Sequence, residues 1–406
     1  MTSEIATGQD PLTTPAAPAA QARPSVVVRG MFLQVTALIY LQKFGVPLGG
    51  EQISLVLIVC LGTVLYTIGA AKISHAAVGV FMVLAGLALA SQILSERFSL
   101  MSILFLLVTY ALYVPKWVVS RDEYRAVLAH FSNAMLPITL FVFAQYLYQV
   151  VVGVGSNLVI DPYVPSEFLL QGYIGQSSTE TWVTWNRPNG IVFLETSFAS
   201  IFLACAIILE FTMLGRRPAR LMLFALALVT TEGASGLALL VFALGWYIVT
   251  RPMLRYLALA GAAVLGLAYA AGVPLPAVPR IEEFSNPGSS AYGRILLPIM
   301  ALFDLLGDPS ALFTGRGAGT VNIGNTWPLV KLIYEYGLLF AVVFEVFFAS
   351  RTIGRSLTPL TVGLFMVYQV TGGYLLSPIM VLLVYLLCAA MVVERDPSSP
   401  GSGAAA

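Results

Sequence analysis

Apolar stretches long enough to cross a lipid bilayer recur along the whole chain, and they limit the fold more than any other feature of the sequence. A transmembrane helix needs about 20 consecutive apolar residues. Only 10% of the 406 residues are charged, while 58% are hydrophobic, which is far from the composition of a soluble domain. The sequence therefore predicts an all-α fold, a polytopic transmembrane helical bundle of about 12 spans. The predicted spans are residues 27–46, 52–70, 75–94, 99–118, 130–152, 190–213, 219–232, 235–250, 254–272, 327–349, 357–373 and 376–393.

The distribution of basic residues predicts which side of the membrane each connection faces. Twelve crossings place both termini on the same side, and Lys and Arg are enriched in cytoplasmic connections. With the N-terminus inside, fourteen of the 21 basic residues are cytoplasmic, so we predict that both termini are cytoplasmic. The cytoplasmic set is Arg23, Arg29, Lys72, Lys116, Arg121, Arg125, Arg216, Arg217, Arg220, Arg251, Arg255, Arg351, Arg355 and Arg395, and the outer set is Lys43, Arg97, Arg187, Arg280, Arg294, Arg316 and Lys331. The turn at residues 230–236 leaves the number of spans open, because it also fits a break within one long hairpin.

The two ends of the chain differ in composition from the part between them. Residues 1–25 are rich in Ala, Pro and Thr and contain no apolar core, so we predict a disordered cytoplasmic tail rather than a cleaved signal peptide. Residues 396–406 form a second predicted disordered tail. Residues 26–395 are then a single transmembrane domain.

Two long loops, at about residues 153–189 and 273–326, both fall on the predicted outer face. They contain most of the irregular, polar and aromatic sequence, whereas the cytoplasmic connections are short. Binding and catalytic residues are disproportionately found on loops, so we expect the protein to work on the outer face. An apolar piece within the second loop, residues 295–306, is too short to span and indicates an interfacial or re-entrant helix.

The first loop ends in a turn that joins an arginine to an apolar helix. Arg187 is followed by a Pro-Asn-Gly turn that includes Asn189, and such a turn predicts a helix beginning at Gly190. The unpartnered N–H groups of a helix N-terminus carry partial positive charge, and an arginine beside them makes a good seat for phosphate. The alternative is a loop arginine that contacts lipid headgroups.

Two carboxylates are further candidates for the site. One lies near this turn, and the other lies at the end of the next predicted span. Glu195 is predicted to lie about 7–8 Å below the start of its helix, at ~1.5 Å per residue. A buried ionisable group is a functional candidate whose partner must be named, and we expect that partner to be Arg187 or Arg294. The alternative is a buried ion pair that only orients helices. Glu232 is the second candidate, at the outer end of its span.

The outer arginines suit phosphate because a planar guanidinium binds it at two points. Pairing with neighbouring acids or contact with headgroups is the alternative, and it is the expectation for Arg280. Residues 325–328 open the tenth span with a capping sequence, and Lys331 and Glu335 follow it as an expected intrahelical pair. The glycine-rich residues 315–319 follow no strand and lack a Lys-Ser/Thr ending, so they do not predict a nucleotide loop.

Aromatic residues of the first loop alternate with acids and amides, a mixture that suits sugar rings. They are Tyr163, Tyr173, Trp182 and Trp185, and interfacial anchoring is the alternative explanation. No metal site is expected, because His75 and His130 are the only histidines and both are predicted to be cytoplasmic. Cys60, Cys205 and Cys388 lie in apolar stretches and are expected to be core thiols. No basic block indicates nucleic acid.

Three stretches together resemble the O-antigen ligase and polymerase family, the Wzy-like and WaaL-like membrane glycosyltransferases. Residues 187–197 are similar to the family's arginine, glycine and Glu-Pro-Ser opening of a helix after its large periplasmic loop. Residues 231–236 are similar to its small polar turn before the next span. Residues 290–294, 315–319 and 325–337 look like its Ser-to-Arg element, glycine-rich loop and Asn-led helix with a closing Glu-x-Gly.

This resemblance implies a GT-C-like helical fold in the bacterial inner membrane, with the catalytic site facing the periplasm. It implies a metal-independent, cofactor-free transfer of glycan from an undecaprenyl-diphosphate-linked oligosaccharide donor to a similar acceptor. Arg187 and Arg294 would then hold the diphosphate, and Glu195 or Glu232 would act as general base. The expected substrate-binding residues are Asn189, Arg316, Asn325, Trp185, Tyr292, Tyr173 and Glu335.

One departure from the family pattern bears on the type of reaction. Ligases of this family carry a histidine just before the asparagine matched to Asn325, and here the residue is Gly324. We therefore expect a polymerase of exopolysaccharide or O-antigen repeat units, with a chain-length-regulating membrane protein as a possible partner. A ligase and a transporter or flippase of lipid-linked oligosaccharides remain the alternatives. A secondary transporter typically has halves related by a repeat, and the two halves of this chain are dissimilar.

Overall fold

The computed structural model describes most of the chain between residues 25 and 394. The described ranges are 25–48, 51–95, 99–153, 156, 158–170, 186–215, 217–251, 255, 292–320, 326–353, 357–371 and 375–394. Within them the protein is predominantly helical, with five short strands, which confirms the expected helical class. The predicted span at 254–272 lies almost wholly outside the described residues.

Helices account for most of the described chain. Their bounds are α1 Val26–Tyr40, α2 Leu55–Thr67, α3 His75–Leu94, α4 Leu100–Ala111, α5 Arg121–Val152, α6 Thr196–Thr212, α7 Pro218–Thr231, α8 Ala234–Val249, α9 Leu297–Leu306, α10 Pro309–Thr314, α11 Pro328–Tyr336, α12 Leu338–Thr352, α13 Pro359–Val370 and α14 Pro378–Val384. Two π-helical turns, Tyr292–Leu296 and Tyr385–Ala389, precede α9 and follow α14. The strands are β1 Gly45–Leu48, β2 Glu51–Ser54, β3 Lys72–Ile73, β4 Pro115–Val119 and β5 Met391–Val393.

Two of the described helices, α3 and α5, are long and apolar enough to cross a membrane. The other apolar helices contain 10 to 17 residues, so a bundle of about 12 spans is not confirmed and stays a prediction. Some predicted spans are shorter as helices because part of their sequence is extended. Residues 99–118 form α4 and then β4, and residues 376–393 end in β5. The predicted span at 327–349 is divided between α11 and α12.

Contacts between helix ends define two opposite ends of the molecule. At one end β3, β4 and β5 form a three-stranded sheet, and the indole Nε1 of Trp117 donates to the carbonyl of Thr67. We call this the sheet end. At the other end, the hairpin end, β1 and β2 pair antiparallel, and Lys43 Nζ lies 2.6 Å from Asp161 Oδ1.

Basic residues are separated between the two ends in the way that the sequence predicts. Arg29 lies in the first turn of α1, Arg121 begins α5 and Arg351 lies in the last turn of α12, all at the sheet end. The guanidinium of Arg351 donates to the carbonyls of Tyr113 and Val114 just before β4. The described members of the predicted outer set lie at the hairpin end, namely Lys43, Arg187, Arg316 and Lys331.

The helix α6 lies at the centre of one half of the bundle, against α5, α7 and α8. Most of its side chains are buried, as expected for a helix that is apolar on all sides. It runs parallel to α8, since Ser200 contacts Gly236 near one end and Phe211 contacts Tyr247 near the other. The N-termini of α6 and α8 therefore lie side by side at the hairpin end.

Candidate functional site

The loop that contains Arg187 is irregular up to Glu195, so the predicted start of α6 at Gly190 is wrong. The helix begins at Thr196. Gly190 and Ile191 have φ angles of 70° and 67°, which a right-handed helix does not allow. The side chain of Asn189 accepts the N–H of Ile191 at 3.1 Å, and this local hydrogen bond competes with helix formation.

The position of Glu195 differs from the prediction for the same reason. It is the N-cap residue of α6 and not a residue one to two turns inside the helix. Its carboxylate Oε2 accepts the hydroxyl of Ser197 at 2.9 Å, and its side chain is half-buried. The carboxylate thus lies at the hairpin end beside the N–H groups of the helix.

Two glutamines on α5 hold this loop, and the sequence analysis did not identify them. Gln149 binds both backbone groups of Asn186, accepting its N–H at 2.7 Å and donating to its carbonyl at 2.8 Å. Gln145 accepts the N–H of Gly190 at 2.7 Å and donates to Asn189 Oδ1 at 3.0 Å. The sequence did contain a signal for them, two glutamines four residues apart, because this spacing places both side chains on one side of a helix.

Asn189 supports the conformation of the loop. Its side chain is fully buried, and its amide donates to the carbonyl of Phe193 at 2.9 Å. These contacts give Asn189 a structural role, and its role in substrate binding stays a prediction. The sequence pattern did not separate these roles because an Asn in a turn serves either one.

Arg187 is positioned by contacts of both its backbone and its side chain. Its carbonyl accepts the hydroxyl of Thr196 at 3.1 Å, and its Nε lies 3.8 Å from Oε2 of Glu232. Arg187 or Arg294 was the expected partner of Glu195, whereas the ion pair described for Arg187 is with Glu232. Glu232 ends α7 in the left-handed conformation with φ 51°, and its side chain is 45% exposed while that of Arg187 is 23% exposed.

Close packing places the start of α8 against the first turns of α6. Gly236 N donates to Ser200 Oγ at 3.1 Å, and a Cβ on Gly236 would lie only 2.4 Å from the carbonyl oxygen of Ser200. The adjacent Ser235 Oγ is buried and has no hydrogen-bond partner among the described residues. We define the Arg187 cluster as Arg187, Glu195, Glu232 and the N-terminal turns of α6 and α8.

Arg316 lies in a second cluster at the hairpin end, where it is paired with acids. Its guanidinium is 3.1 Å from Asp304 and 4.0 Å from Asp308, and it donates to Tyr334 Oη at 3.0 Å. Partial burial lowers the pKa of Arg316, but Tyr334 and Asp304 outweigh this and raise the pKa above its ordinary value. Pairing with acids was the alternative stated for the outer arginines and is what Arg316 shows, while its contact with a substrate stays a prediction.

Glu335 supports the glycine-rich loop. Its side chain is buried, its Oε1 accepts the N–H of Gly319 at 3.1 Å, and its carbonyl accepts Gln92 Nε2 at 3.1 Å. The expected pair with Lys331 is confirmed at 3.7 Å. These contacts give Glu335 a structural role, and its contact with a substrate stays a prediction.

Several predicted site residues cannot be placed relative to the Arg187 cluster. Tyr173, Trp185 and Asn325 lie outside the described residues, as does the side chain of Arg294. Tyr292 is in the π-helical turn before α9, and its hydroxyl lies 3.7 Å from the sulfur of Met300. Among the described residues, no group of three or more His, Cys, Asp or Glu is arranged to hold a metal ion.

Comparison with known proteins identifies no relative. No family model matches the chain, and no curated protein or solved structure is significantly similar to it.

Proposed function

We propose that this chain is a polysaccharide polymerase that joins undecaprenyl-diphosphate-linked oligosaccharide repeat units at the periplasmic face of the bacterial inner membrane. The observation that carries the proposal is the Arg187 cluster, in which an arginine meets the N-termini of two parallel helices. Beside the carboxylates of Glu195 and Glu232, the guanidinium and the two helix N-termini are three positive groups that a multiply charged anion could contact together. A diphosphate is such an anion.

The exposed surface of α3 supports placement in a membrane. Only 28% of its most apolar stretch is buried, and the exposed side chains include Met82, Val83, Ile93 and Leu94. Monomeric soluble proteins rarely expose a contiguous apolar surface of this kind. Lipid would cover this surface, and the basic sheet end would then face the cytoplasm.

The leaving group of the proposed reaction would bind at the hairpin end. The diphosphate contacts the guanidinium of Arg187 and the N-terminal turns of α6 and α8. Arg187 can keep its contact with Glu232 at the same time, because a guanidinium has five N–H donors. Charge that builds on the diphosphate as the glycosidic bond breaks is stabilised by these fixed groups, which is the largest catalytic contribution in sites of this type.

The attacking group is a hydroxyl of the acceptor's terminal sugar. Its proton passes to a carboxylate, for which Glu195 is the better candidate because Glu232 is already engaged in the contact with Arg187. The new glycosidic bond joins the growing glycan to the acceptor repeat unit, and undecaprenyl diphosphate leaves. No metal is needed in this scheme, since Arg187 and the helix N-termini supply the positive charge.

The decisive experiment uses purified full-length protein in liposomes with lipid-linked repeat units extracted from a host strain that lacks this gene. A ladder of polymer on a gel, retained in excess EDTA, is the expected result. Transfer only to a lipid A acceptor would indicate a ligase, and translocation without bond formation a flippase, and either result would overturn the polymerase. Loss of the ladder in EDTA, restored by Mg²⁺ or Mn²⁺, would overturn the metal-free scheme.

The same assay tests the Arg187 cluster. Arg187→Ala should lower the initial rate by about 10²–10³-fold, as removal of one group that stabilises developing charge does. Arg121→Ala is the control, because Arg121 is exposed at the opposite end of the molecule. Equal rates for the two variants would place the reaction elsewhere.

A further inference from the structure

A cavity of about 680 Å³ opens at the sheet end, far from the Arg187 cluster. It lies where the ends of α6 and α8 meet the starts of α5 and α13. The residues that define its chemistry are Arg125, Phe211, Trp246, Tyr247, Arg251 and Thr358. The proposed reaction makes no use of this cavity.

The two charged side chains that line the cavity are both cationic. Arg125 and Arg251 line it, and no Asp or Glu is among its described lining residues. Two acids near this end are already engaged. Glu123 accepts the N–H of Ser120 in the capping box that begins α5, and buried Glu210 accepts the hydroxyl of Ser132. The positive charge of the cavity is therefore not neutralised by its own walls.

The walls of the cavity add an aromatic surface to this charge. The guanidinium of Arg251 lies 5.5 Å from the ring centroid of Tyr247, and Tyr247 makes an edge contact with Phe211 at 5.8 Å. Trp246 Nε1 donates to the carbonyl of Leu357 at 2.9 Å, which fixes the indole between α8 and α13. A site with two guanidinium groups and an aromatic wall suits an anion that carries an apolar or planar body.

We propose that this cavity binds a phosphate ester, with the phosphate on Arg125 and Arg251 and the body of the ligand against Trp246 and Tyr247. The headgroup of an anionic phospholipid and a soluble nucleotide share this chemistry. Because the ligand contacts both α5 and α8, its binding links two helices that flank α6. The proposal does not depend on the transfer reaction at the hairpin end, so each can fail without the other.

The test measures thermal unfolding of the full-length protein in a neutral detergent. One arm adds mixed micelles with phosphatidylglycerol, a second adds the same amount of phosphatidylcholine, a third adds AMP and a fourth inorganic phosphate. A ligand that binds only the folded state raises Tm with increasing concentration. We expect a rise with phosphatidylglycerol or with AMP, and the arm that responds identifies the source of the phosphate group.

Substitutions test whether the ligand that raises Tm binds in this cavity. Arg125→Ala and Arg251→Ala should each weaken binding about tenfold or more, the loss expected for one hydrogen bond to a charged group, and Arg251→Lys should weaken it less. Arg121→Ala, one turn before Arg125 on the same helix, should bind as the unchanged protein does. The proposal is overturned if neither phosphatidylglycerol nor AMP raises Tm above its value with phosphatidylcholine or inorganic phosphate, or if the alanine variants at 125 and 251 respond as Arg121→Ala does.

Discussion

Arg187 reaches its position through contacts that the loop and two helices supply before any ligand arrives. Thr196 binds its carbonyl, and Glu232 lies 3.8 Å from its Nε. A side chain held in this way loses little rotamer freedom on binding, which is a condition for effective stabilisation of developing charge. The two carboxylates of the cluster then have different surroundings, since Glu232 faces the arginine while Glu195 accepts a hydroxyl.

Replacing each glutamate by glutamine distinguishes a general base from a group that positions Arg187. Glu195→Gln should lower turnover by about 10²–10⁴-fold, the usual contribution of a general base, with little change in Tm. Glu232→Gln should instead raise the KM for the donor, because Arg187 loses the group that positions it. Initial rates and Tm are measured on the same preparation of each variant. Near-normal turnover in stable Glu195→Gln protein would contradict the assignment of the base.

At the scale of elements, the loop before α6 depends on a helix that is distant in sequence. Gln149 of α5 supplies hydrogen bonds to both backbone groups of Asn186. A buried backbone group that loses its partner costs about 1–3 kcal/mol. The irregular conformation of residues 186–195 is thus maintained by α5 together with the local hydrogen bonds of Asn189.

Gln149→Leu should therefore loosen the loop while leaving the helices folded. We expect faster hydrogen exchange of the backbone amides at residues 186–190 and a fall in activity. Exchange in α12, which is remote from Gln149, should be unchanged and serves as the internal control. Unaltered exchange at 186–190 would show that the loop holds its conformation without α5.

The contact between α6 and α8 is tested by two glycines of the same helix. Gly236→Ala places a methyl group 2.4 Å from the carbonyl oxygen of Ser200, and overpacking of this kind costs about 1–3 kcal/mol. Gly245→Ala meets nothing within 4 Å and should stabilise α8 by roughly 0.5–1 kcal/mol. Thermal unfolding of both variants in detergent gives opposite signs if the packing is as described.

The sequence predicts single helices better than it predicts their ends. The span at 75–94 is confirmed as α3, because its apolar residues continue without a competing signal. The start of α5 at Arg121 was missed, although Ser120 and Glu123 form a capping box that is visible in the sequence. The start of α6 was misplaced because Asn189 binds the backbone locally. The partnership of Arg187 and Glu232 joins residues 45 positions apart, which no local pattern reveals.

At the scale of the whole molecule, the two ends of the described structure differ in their basic residues. The sheet end has arginines at the limits of several helices, and the hairpin end has the Arg187 cluster and the loop that contacts β1. The separation was predicted from the count of basic residues, and the contacts between helix ends agree with it. Which end faces the cytoplasm follows only from the positive-inside rule.

Single cysteines report this orientation directly. Ser166→Cys at the hairpin end and Ser74→Cys at the sheet end are both exposed, and each is placed in a variant that lacks Cys60, Cys205 and Cys388. In intact spheroplasts an impermeant maleimide should label position 166 and reach position 74 only after the membrane is opened. The reverse pattern would invert the topology and remove the proposed periplasmic site.

The parallel arrangement of α6 and α8 has an electrostatic consequence at the hairpin end. Two helices that run side by side in the same direction bring like partial charges together, about half an elementary charge at each N-terminus, and these ends repel one another. The carboxylates of Glu195 and Glu232 lie at the hairpin end and offset part of this repulsion. The anion of the proposed reaction would add to their effect, so its binding should draw the two helices closer at the hairpin end.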